Sequence, residues 1–245
     1  LVLVTGGARG LGEEITKSVL AHGGSVVINY YRSRERAQAI ADAHPGKAWA
    51  IQADVTDRAS VDGLFAEAER SARRPITSVV NNALVDFSFD GDARPKAEDI
   101  KFERFDQQFR GAVGGALNVI QAALDGFDRN GGGRIVNIGT NLFQNPVVPY
   151  HDYTAAKAAL LSLTRTFAAD LGAEEHHRQH GLRRFAARDG RQRRDSRGGV
   201  RWYRPCDHDR RIRRCGTAVP EPVVSRGNRP EPRGRWRTRQ GLTSS

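Results

Sequence analysis

The chain has 245 residues and a formal net charge of +11, and its length suits one α/β domain with a sizeable core. The charge is confined to residues 176–245, where 20 arginines, no lysine and 6 acidic residues give +14 and leave residues 1–175 at −3. The two cysteines, Cys206 and Cys215, are too few for a disulfide framework or a metal site. No apolar stretch is long enough to span a bilayer, so we expect a cytoplasmic location and no membrane partner. Because Leu1 already lies inside an apolar run, we expect a short segment to precede it.

The first 175 residues alternate short apolar runs with longer amphipathic or polar stretches. The predicted strands are Leu1–Val4, Ser25–Asn29, Lys47–Gln52, Ser78–Val80 and Arg134–Ile138. One predicted helix follows a glycine-rich turn and ends near His22, and the others are Arg34–Ala43, Ser60–Arg73, Phe105–Leu124 and Tyr153–Leu171. Short apolar strands separated by helices are typical of crossover units around a parallel sheet that is covered on both faces. The alternation predicts an α/β protein with a doubly wound parallel sheet, a Rossmann fold.

A glycine-rich segment, Thr5–Gly12, lies between the first predicted strand and the first predicted helix. Glycine is required where the chain turns tightly and where the backbone must approach a pyrophosphate closely. The helix N-terminus beyond the turn offers free N–H groups and the positive end of a dipole. A glycine-rich motif alone is a weak signal, but a strand before it and a helix after it are the context that a dinucleotide site requires. The segment therefore predicts a dinucleotide-binding site.

The end of the second strand indicates which dinucleotide binds. An NAD site usually places an acidic residue there for the adenosine ribose hydroxyls, and the segment Ile28–Arg32 contains none. Arg9 and Arg32 can instead hold a ribose 2′-phosphate, so NADP(H) is favoured over NAD(H). The alternative interpretation is that Arg32 is a solvated cation at the start of a helix.

Tyr153 and Lys157 begin the helix that follows the fifth strand. Because they are four residues apart, they share one face of that helix. A phenol with a pKa near ~10 is a poor acid–base group at neutral pH, but a nearby ammonium group favours the phenolate and lowers that pKa. Tyr153 could then exchange a proton with a substrate oxygen while hydride moves at carbon. Such a pair alone is common and is often no more than a surface pair.

Several motifs accompany the pair in a fixed order: the Thr5–Gly12 turn, Asp54-Val55, Asn81-Asn82-Ala83 and Ile135–Ile138. In this order and spacing, residues 1–175 resemble the short-chain dehydrogenase/reductase family, most closely its 3-oxoacyl-(acyl-carrier-protein) reductase-like members, which use NADPH. The resemblance implies an oxidoreductase that reduces a ketone to a secondary alcohol. Its substrate would be a small-molecule or acyl-carrier-bound carbonyl compound, and its assembly a homo-oligomer, commonly a tetramer.

The resemblance also assigns roles to individual residues. Gly6, Gly10 and Gly12 would hold the pyrophosphate, Asp54 and Val55 would flank the adenine, and Asn82 and Ala83 would support the cofactor. Lys157 would hydrogen-bond the nicotinamide ribose and depress the pKa of Tyr153. The candidate cofactor-binding residues are Gly6, Arg9, Gly10, Leu11, Gly12, Tyr30, Arg32, Asp54, Val55, Asn82, Ala83, Tyr153 and Lys157.

Three positions depart from the family's pattern. Thr140 stands where the family has the serine that polarises the substrate carbonyl, and its hydroxyl can do the same while its methyl group narrows the site. The candidate catalytic residues are therefore Thr140, Tyr153 and Lys157. Leu84 replaces the glycine expected after Asn-Asn-Ala, and Ala112 replaces the helix asparagine that completes the family's catalytic tetrad. The expected cost is a weakened proton relay.

Residues 176–245 form an arginine-rich segment with no sustained helical or strand period, so we predict a second, irregular region with the C-terminal strands missing or irregular. We hypothesise that this segment is read out of frame after a frameshift near Ala173–His176. Back-translating His176–Gly181 and starting one base later permits Ile-Thr-Val-Asn-Met-Val, which resembles the family's sixth strand. The same shifted frame permits the family's glycine-containing C-terminal pattern across Gly227–Arg237. Resequencing the DNA tests the hypothesis.

Two other functions remain open from the sequence. One is a catalytically impaired cofactor-binding remnant, because without the C-terminal strands one sheet edge is bare and the substrate loop and oligomer interface are incomplete. We accordingly expect the chain as written to be less stable and less active than a frame-restored version. The other is binding of nucleic acid or an acidic partner, in which arginines act with the aromatic rings of Trp202, Tyr203 and Trp236. The sequence contains no folded nucleic-acid-binding motif that supports this second function.

Overall fold

The computed structural model describes residues 1–173 and 186–190, which all belong to one unit, Leu1–Arg201. The strands are β1 (Val2–Val4), β2 (Val26–Tyr30), β3 (Ala48–Gln52), β4 (Ser78–Asn81), β5 (Arg134–Ile138) and β6 (Ala186–Gly190). The helices are α1 (Gly10–Ala21), α2 (Arg34–Asp42), α3 (Arg58–Ala72), α4 (Phe102–Phe109), α5 (Gly115–Arg129) and α6 (His151–Ala173), and a π-helical turn (Arg110–Gly114) joins α4 to α5. Within these residues no helix has both the length and the apolarity needed to cross a bilayer.

The strands form one parallel sheet in the order β3-β2-β1-β4-β5-β6. The chain leaves β1 toward β2 and β3 on one side and returns to β4 on the other, so the strand order reverses between β1 and β4. In open α/β sheets, ligands bind outside the carboxyl ends of the strands at this reversal. The predicted doubly wound Rossmann fold is confirmed, and its reversal point lies where the Thr5–Gly12 turn leaves β1.

Successive side chains of each central strand enter two different apolar cores. Leu3 packs in the core that is formed with α3 and α5, whereas Val4 packs in the core that is formed with α1 and α2. Neighbouring strands repeat this alternation, since Val79 joins the first core and Val80 the second. A sheet buried on both faces explains why its strands are continuous apolar runs rather than alternating ones.

A buried chain of polar side chains joins β4, β5 and α6. The Asn81 amide donates to Asn137 Oδ1 at 2.8 Å, the Asn137 amide donates to Thr164 Oγ1 at 2.8 Å, and the Thr164 hydroxyl donates to the Leu160 carbonyl at 2.7 Å. Each buried polar group therefore has a partner, as low-dielectric surroundings require. This series of hydrogen bonds holds α6, which carries Tyr153 and Lys157, against β4 and β5.

Three predicted helices differ by two or more residues from those in the structure, and one of them, predicted as Tyr153–Leu171, extends over His151–Ala173. The helix predicted at Ser60 begins at Arg58, because the Asp57 carboxylate accepts a hydrogen bond from the Ala59 N–H and caps it. The helix predicted as Phe105–Leu124 extends from Phe102 to Arg129 and contains the π-helical turn. Such turns are rare and are often found at functional sites.

One segment of the C-terminal part differs from the irregular region that the sequence predicts. Ala186–Gly190 form β6, whose backbone pairs in parallel with the whole of β5. Strand pairing uses backbone groups at the open edge of β5, so it requires no apolar pattern in the added segment. The rest of 174–245, with the predicted boundary at residue 175 and the frameshift hypothesis, lies outside the described residues.

Candidate active site

The glycine turn after β1 has the backbone geometry that the motif predicts. Gly6 and Gly10 have φ angles of 61° and 55°, in the left-handed region that favours glycine. Gly12 lies so close to the turn that an added Cβ atom would be 2.1 Å from the Gly6 carbonyl oxygen. Helix α1 begins at Gly10 without a side-chain cap, so its first N–H groups face the position where a pyrophosphate would bind.

Side chains of two neighbouring strands brace this turn. Asn82 donates from its amide to the carbonyl oxygens of Thr5 and Gly6, at 3.0 and 3.2 Å. The Thr5 hydroxyl oxygen accepts hydrogen bonds from the backbone N–H groups of Asn82 and Ala83, at 2.9 and 3.0 Å. These contacts hold Asn82 and Ala83 against the glycine turn, and their predicted contact with the cofactor stays a prediction.

Asn29 is a bracing residue that sequence reasoning missed. Its amide group donates to the Ala53 carbonyl at 3.0 Å, and its Oδ1 atom accepts a hydrogen bond from Gly6 N at 3.3 Å. It thereby connects β2, the end of β3 and the glycine turn. The available signal was a polar residue directly after the apolar run Val26–Ile28, within the same strand.

The residues predicted at the adenosine end lie in different environments. Arg9 is exposed at the start of α1, and Arg32 is exposed but forms an ion pair with Asp86. Tyr30 is only 7% exposed and packs in the core with α1 and α2, so its ring offers little surface to a cofactor.

Three further predicted cofactor residues mainly support the local structure. Leu11 packs against the same core as Tyr30, and Val55 is buried in the other core. The Asp54 carboxylate accepts hydrogen bonds from the backbone N–H and hydroxyl of Thr56. The two positions predicted to flank the adenine therefore lie just beyond the carboxyl end of β3, with the Val55 side chain turned into the core.

The structure brings the three predicted catalytic residues together beyond the carboxyl end of β5. The Tyr153 side chain is hydrogen-bonded to that of Thr140. Lys157 Nζ lies 5.9 Å from the centroid of the Tyr153 ring and donates to the Ile138 carbonyl oxygen at 2.6 Å. Tyr153 and Lys157 are 5% and 3% exposed, so both functional groups are withdrawn from bulk water.

The pKa of Tyr153 shifts in the direction opposite to the expected one. Burial raises this pKa above the ordinary value for a phenol, and the hydrogen bond with Thr140 lowers it by less. The predicted lowering of this pKa is therefore wrong for this structure, in which burial of the phenol has the larger effect. Tyr153 is therefore a neutral phenol at neutral pH, the form that can donate a proton.

Replacing Thr140 with valine is expected to raise the pKa of Tyr153 further, because valine removes the hydrogen bond that opposes the effect of burial. Thr140→Ser, which keeps the hydroxyl, is the matched control and should leave the titration nearly unchanged. The measurement is tyrosinate absorbance against pH, taken as the difference between each variant and the same protein carrying Tyr153→Phe. A midpoint in Thr140→Val equal to or below that of the wild type would contradict this assignment.

Aromatic rings pack against the ring of Tyr153. Phe87 stacks on the Tyr153 ring with centroids 4.5 Å apart, and Phe89 and Tyr150 make edge contacts in the same cluster. Sequence reasoning missed Phe87 and Phe89, although an alternating Phe-Ser-Phe after Asn-Asn-Ala was a visible signal. The stacked Phe87 ring is one of the groups that bury Tyr153.

A cavity of about 230 Å³ lies next to this cluster. Phe87 and Tyr150 line one side of it, and the ion pair between Arg104 and the buried carboxylate of Asp152, 3.2 Å apart, lines another. Tyr153 is not among the residues that line the cavity, whereas its ring neighbours Phe87 and Tyr150 are. Among residues 1–173 and 186–190, no cluster of histidine, cysteine or acidic side chains could hold a metal ion.

The two other departures from the family's pattern have different consequences. Leu84 does not adopt a positive φ, which in the described part occurs outside glycine only at Arg73 and Asp86, so this position does not require glycine. Ala112 lies in the π-helical turn and lines a cavity of about 10 Å³ together with Lys157. That volume is at the lower limit for one water molecule, and alanine offers no side-chain hydrogen bond there.

Comparisons with known proteins agree with this geometry. The chain is 34% identical over 180 residues to a short-chain type dehydrogenase/reductase of Picea abies, covering 70% of this chain and 65% of the relative. It is 30% identical over 191 residues to the chloroplastic NADPH-dependent aldehyde reductase 2 of Arabidopsis thaliana, covering 71% and 68%. A crystal structure of a short-chain dehydrogenase from Streptomyces avermitilis superposes with a TM-score of 0.60 at 28% identity, covering 70% of this chain and 60% of that one.

The match follows the described region of the chain. Residues 1–175 match the family described as short chain dehydrogenase, and the chain spans about 65% of the length of the Picea abies relative. The matched range contains the glycine turn, the Asn82 brace and the Thr140, Tyr153 and Lys157 cluster. The chain belongs to the short-chain dehydrogenase family.

Proposed function

We propose that this protein uses NADPH to reduce a ketone to a secondary alcohol, with Tyr153 as the acid that protonates the substrate oxygen. The observation that carries the proposal is the cluster beyond β5, where a buried phenol is hydrogen-bonded to Thr140 beside Lys157. Burial keeps the phenol protonated at neutral pH, and proton donation to oxygen is what reduction requires. Related proteins are named as reductases, including the Arabidopsis thaliana relative above and an elsinochrome reductase of Elsinoe fawcettii.

The residues present fit a dinucleotide. An added Cβ atom at Gly12 would occupy the space against the Gly6 carbonyl, so only glycine allows this close turn, and the start of α1 lacks a side-chain cap. The absence of an acidic side chain at the end of β2, with Arg9 and Arg32 exposed nearby, supports NADP(H) over NAD(H). These residues would hold the pyrophosphate and the ribose 2′-phosphate.

When bound, the nicotinamide supplies the hydride that adds to the carbonyl carbon. The Thr140 hydroxyl would hydrogen-bond the substrate oxygen, and the Tyr153 phenol would donate its proton to that oxygen. Lys157 would hold the nicotinamide ribose, and its charge would stabilise the phenolate left after proton transfer. We propose a 3-oxoacyl compound or a similar ketone as the substrate.

A second proposal is that the chain binds cofactor but is catalytically impaired. The observation that favours it is Ala112, which offers no side-chain hydrogen bond beside Lys157. If so, nucleotide binding would be intact while proton resupply to Tyr153 would be slow.

A paired binding and rate experiment separates these proposals. The 245-residue chain would be titrated with NADPH and with NADH by calorimetry, and the loss of NADPH absorbance would be followed with 3-oxoacyl thioesters and cyclic ketones. We expect tighter binding of NADPH and measurable reduction. Tight NADPH binding without turnover would favour the impaired form, and tighter binding of NADH would contradict the cofactor assignment.

A further inference from the structure

Asp86 forms an ion pair with Arg32, whose guanidinium group is expected to bind the ribose 2′-phosphate. Arg32 Nη1 lies 3.6 Å from Asp86 Oδ1, and both side chains are more than half exposed. We propose that Asp86 is a specificity-determining residue, which weakens the selectivity for NADP(H) by competing with the 2′-phosphate for Arg32. This inference rests on the proposed function, because it assumes that the dinucleotide binds across the glycine turn and Arg32.

The Asp86 carboxylate is held in place from a second direction. Gln107, on α4, donates from its amide to Asp86 Oδ2 at 3.1 Å, while Asp86 Oδ1 faces Arg32. The Asp86 backbone has a φ of 43°, in the left-handed region that aspartate and asparagine tolerate better than most residues. The loop after β4 therefore presents this carboxylate to Arg32 by a defined conformation rather than by a chance surface encounter.

The ion pair predicts that Asp86 competes only with nucleotides that carry a 2′-phosphate. A phosphate bound to Arg32 would replace Asp86 or lie beside it, and two negative groups at that distance repel each other. A nucleotide without the 2′-phosphate places no charge there, so Asp86 should leave its affinity unchanged. Because the ion pair is exposed, the expected effect is modest, about three- to fivefold in affinity at low salt, and smaller at high salt.

The test uses Asp86→Asn, which keeps the left-handed preference and a hydrogen-bond acceptor for Gln107. The full chain would be titrated by calorimetry with adenosine 2′,5′-bisphosphate and with adenosine 5′-monophosphate. Asp125→Asn is the charge-matched control, because Asp125 is exposed near the end of α5, which precedes β5 and so lies at the opposite end of the sheet. Asp86→Asn is also made in an Arg32→Ala background, which completes a double-mutant cycle for the pair.

We expect Asp86→Asn to tighten binding of the bisphosphate about three- to fivefold, to leave the monophosphate unchanged, and to have no effect without Arg32. Equal tightening of both ligands, or no tightening of the bisphosphate, would overturn the role of Asp86 while leaving the dinucleotide site intact. A wild-type chain that binds neither ligand would instead overturn the proposed function and this inference with it.

Discussion

Replacing Tyr153 with phenylalanine is expected to lower the rate of ketone reduction about a hundred- to ten-thousand-fold, the usual contribution of general acid catalysis. The substitution removes only the hydroxyl that we propose as the proton donor and that contacts Thr140. The ring, its stacking on Phe87 and the helix α6 remain, so NADPH affinity and thermal stability should change little.

Tyr150→Phe is the matched control for this substitution. It removes a hydroxyl from a neighbouring buried ring of the same aromatic cluster, and Tyr153 keeps its contact with Thr140. Initial rates with saturating NADPH, together with calorimetric titration of NADPH, separate loss of chemistry from loss of binding. A Tyr153→Phe variant that keeps more than about a tenth of the wild-type rate would contradict its assignment as the acid.

Gly12→Ala is expected to abolish nucleotide binding and to lower the free energy of unfolding by about 1–3 kcal/mol or more. The added Cβ atom would lie 2.1 Å from the Gly6 carbonyl oxygen and 2.5 Å from Asn82 Nδ2, so the turn and its brace must both move. These atoms also shape the proposed pyrophosphate site, so the same displacement should lower both stability and nucleotide affinity.

Gly63→Ala provides the control for Gly12→Ala. Gly63 lies inside α3, and no atom outside its own helix lies within 4 Å of an added Cβ atom. Alanine there should stabilise the protein by about 0.5–1 kcal/mol, because it restricts the unfolded chain more than glycine does. Denaturant unfolding and NADPH titration of both variants test the comparison. A Gly12→Ala variant with wild-type stability and affinity would contradict the described turn.

The sequence was sufficient for features in which a local pattern decides the structure. Apolar runs buried on both faces predicted the strands, and the glycine spacing predicted the turn, because only glycine allows the Gly12 approach. The family resemblance also implied that Thr140, Tyr153 and Lys157 share one catalytic site, and the structure brings them together beyond β5. These features depend on backbone conformation and on the carboxyl ends of parallel strands sharing one edge.

Features that depend on contacts between distant segments could not be predicted in this way. The pKa of Tyr153 follows from its burial, to which the ring of Phe87 contributes, and neither that stacking nor the direction of Lys157 toward Ile138 is visible in local spacing. The ion pair between Arg32 and Asp86 joins segments from β2 and β4 that only the fold brings together. Strand β6 likewise depends on the free edge of β5 rather than on a pattern in Ala186–Gly190.

The central claim is that this chain transfers hydride from NADPH to a carbonyl carbon while Tyr153 protonates the oxygen. The most direct measurement is mass spectrometry of alcohols formed from a panel of ketones and 3-oxoacyl thioesters, with NADPH deuterated at its transferable position. We expect one deuterium on the carbinol carbon of a product with the wild type, and formation of that product about a hundred- to ten-thousand-fold more slowly with Tyr153→Phe. NADPH that binds tightly but transfers no deuterium to any member of the panel would contradict it.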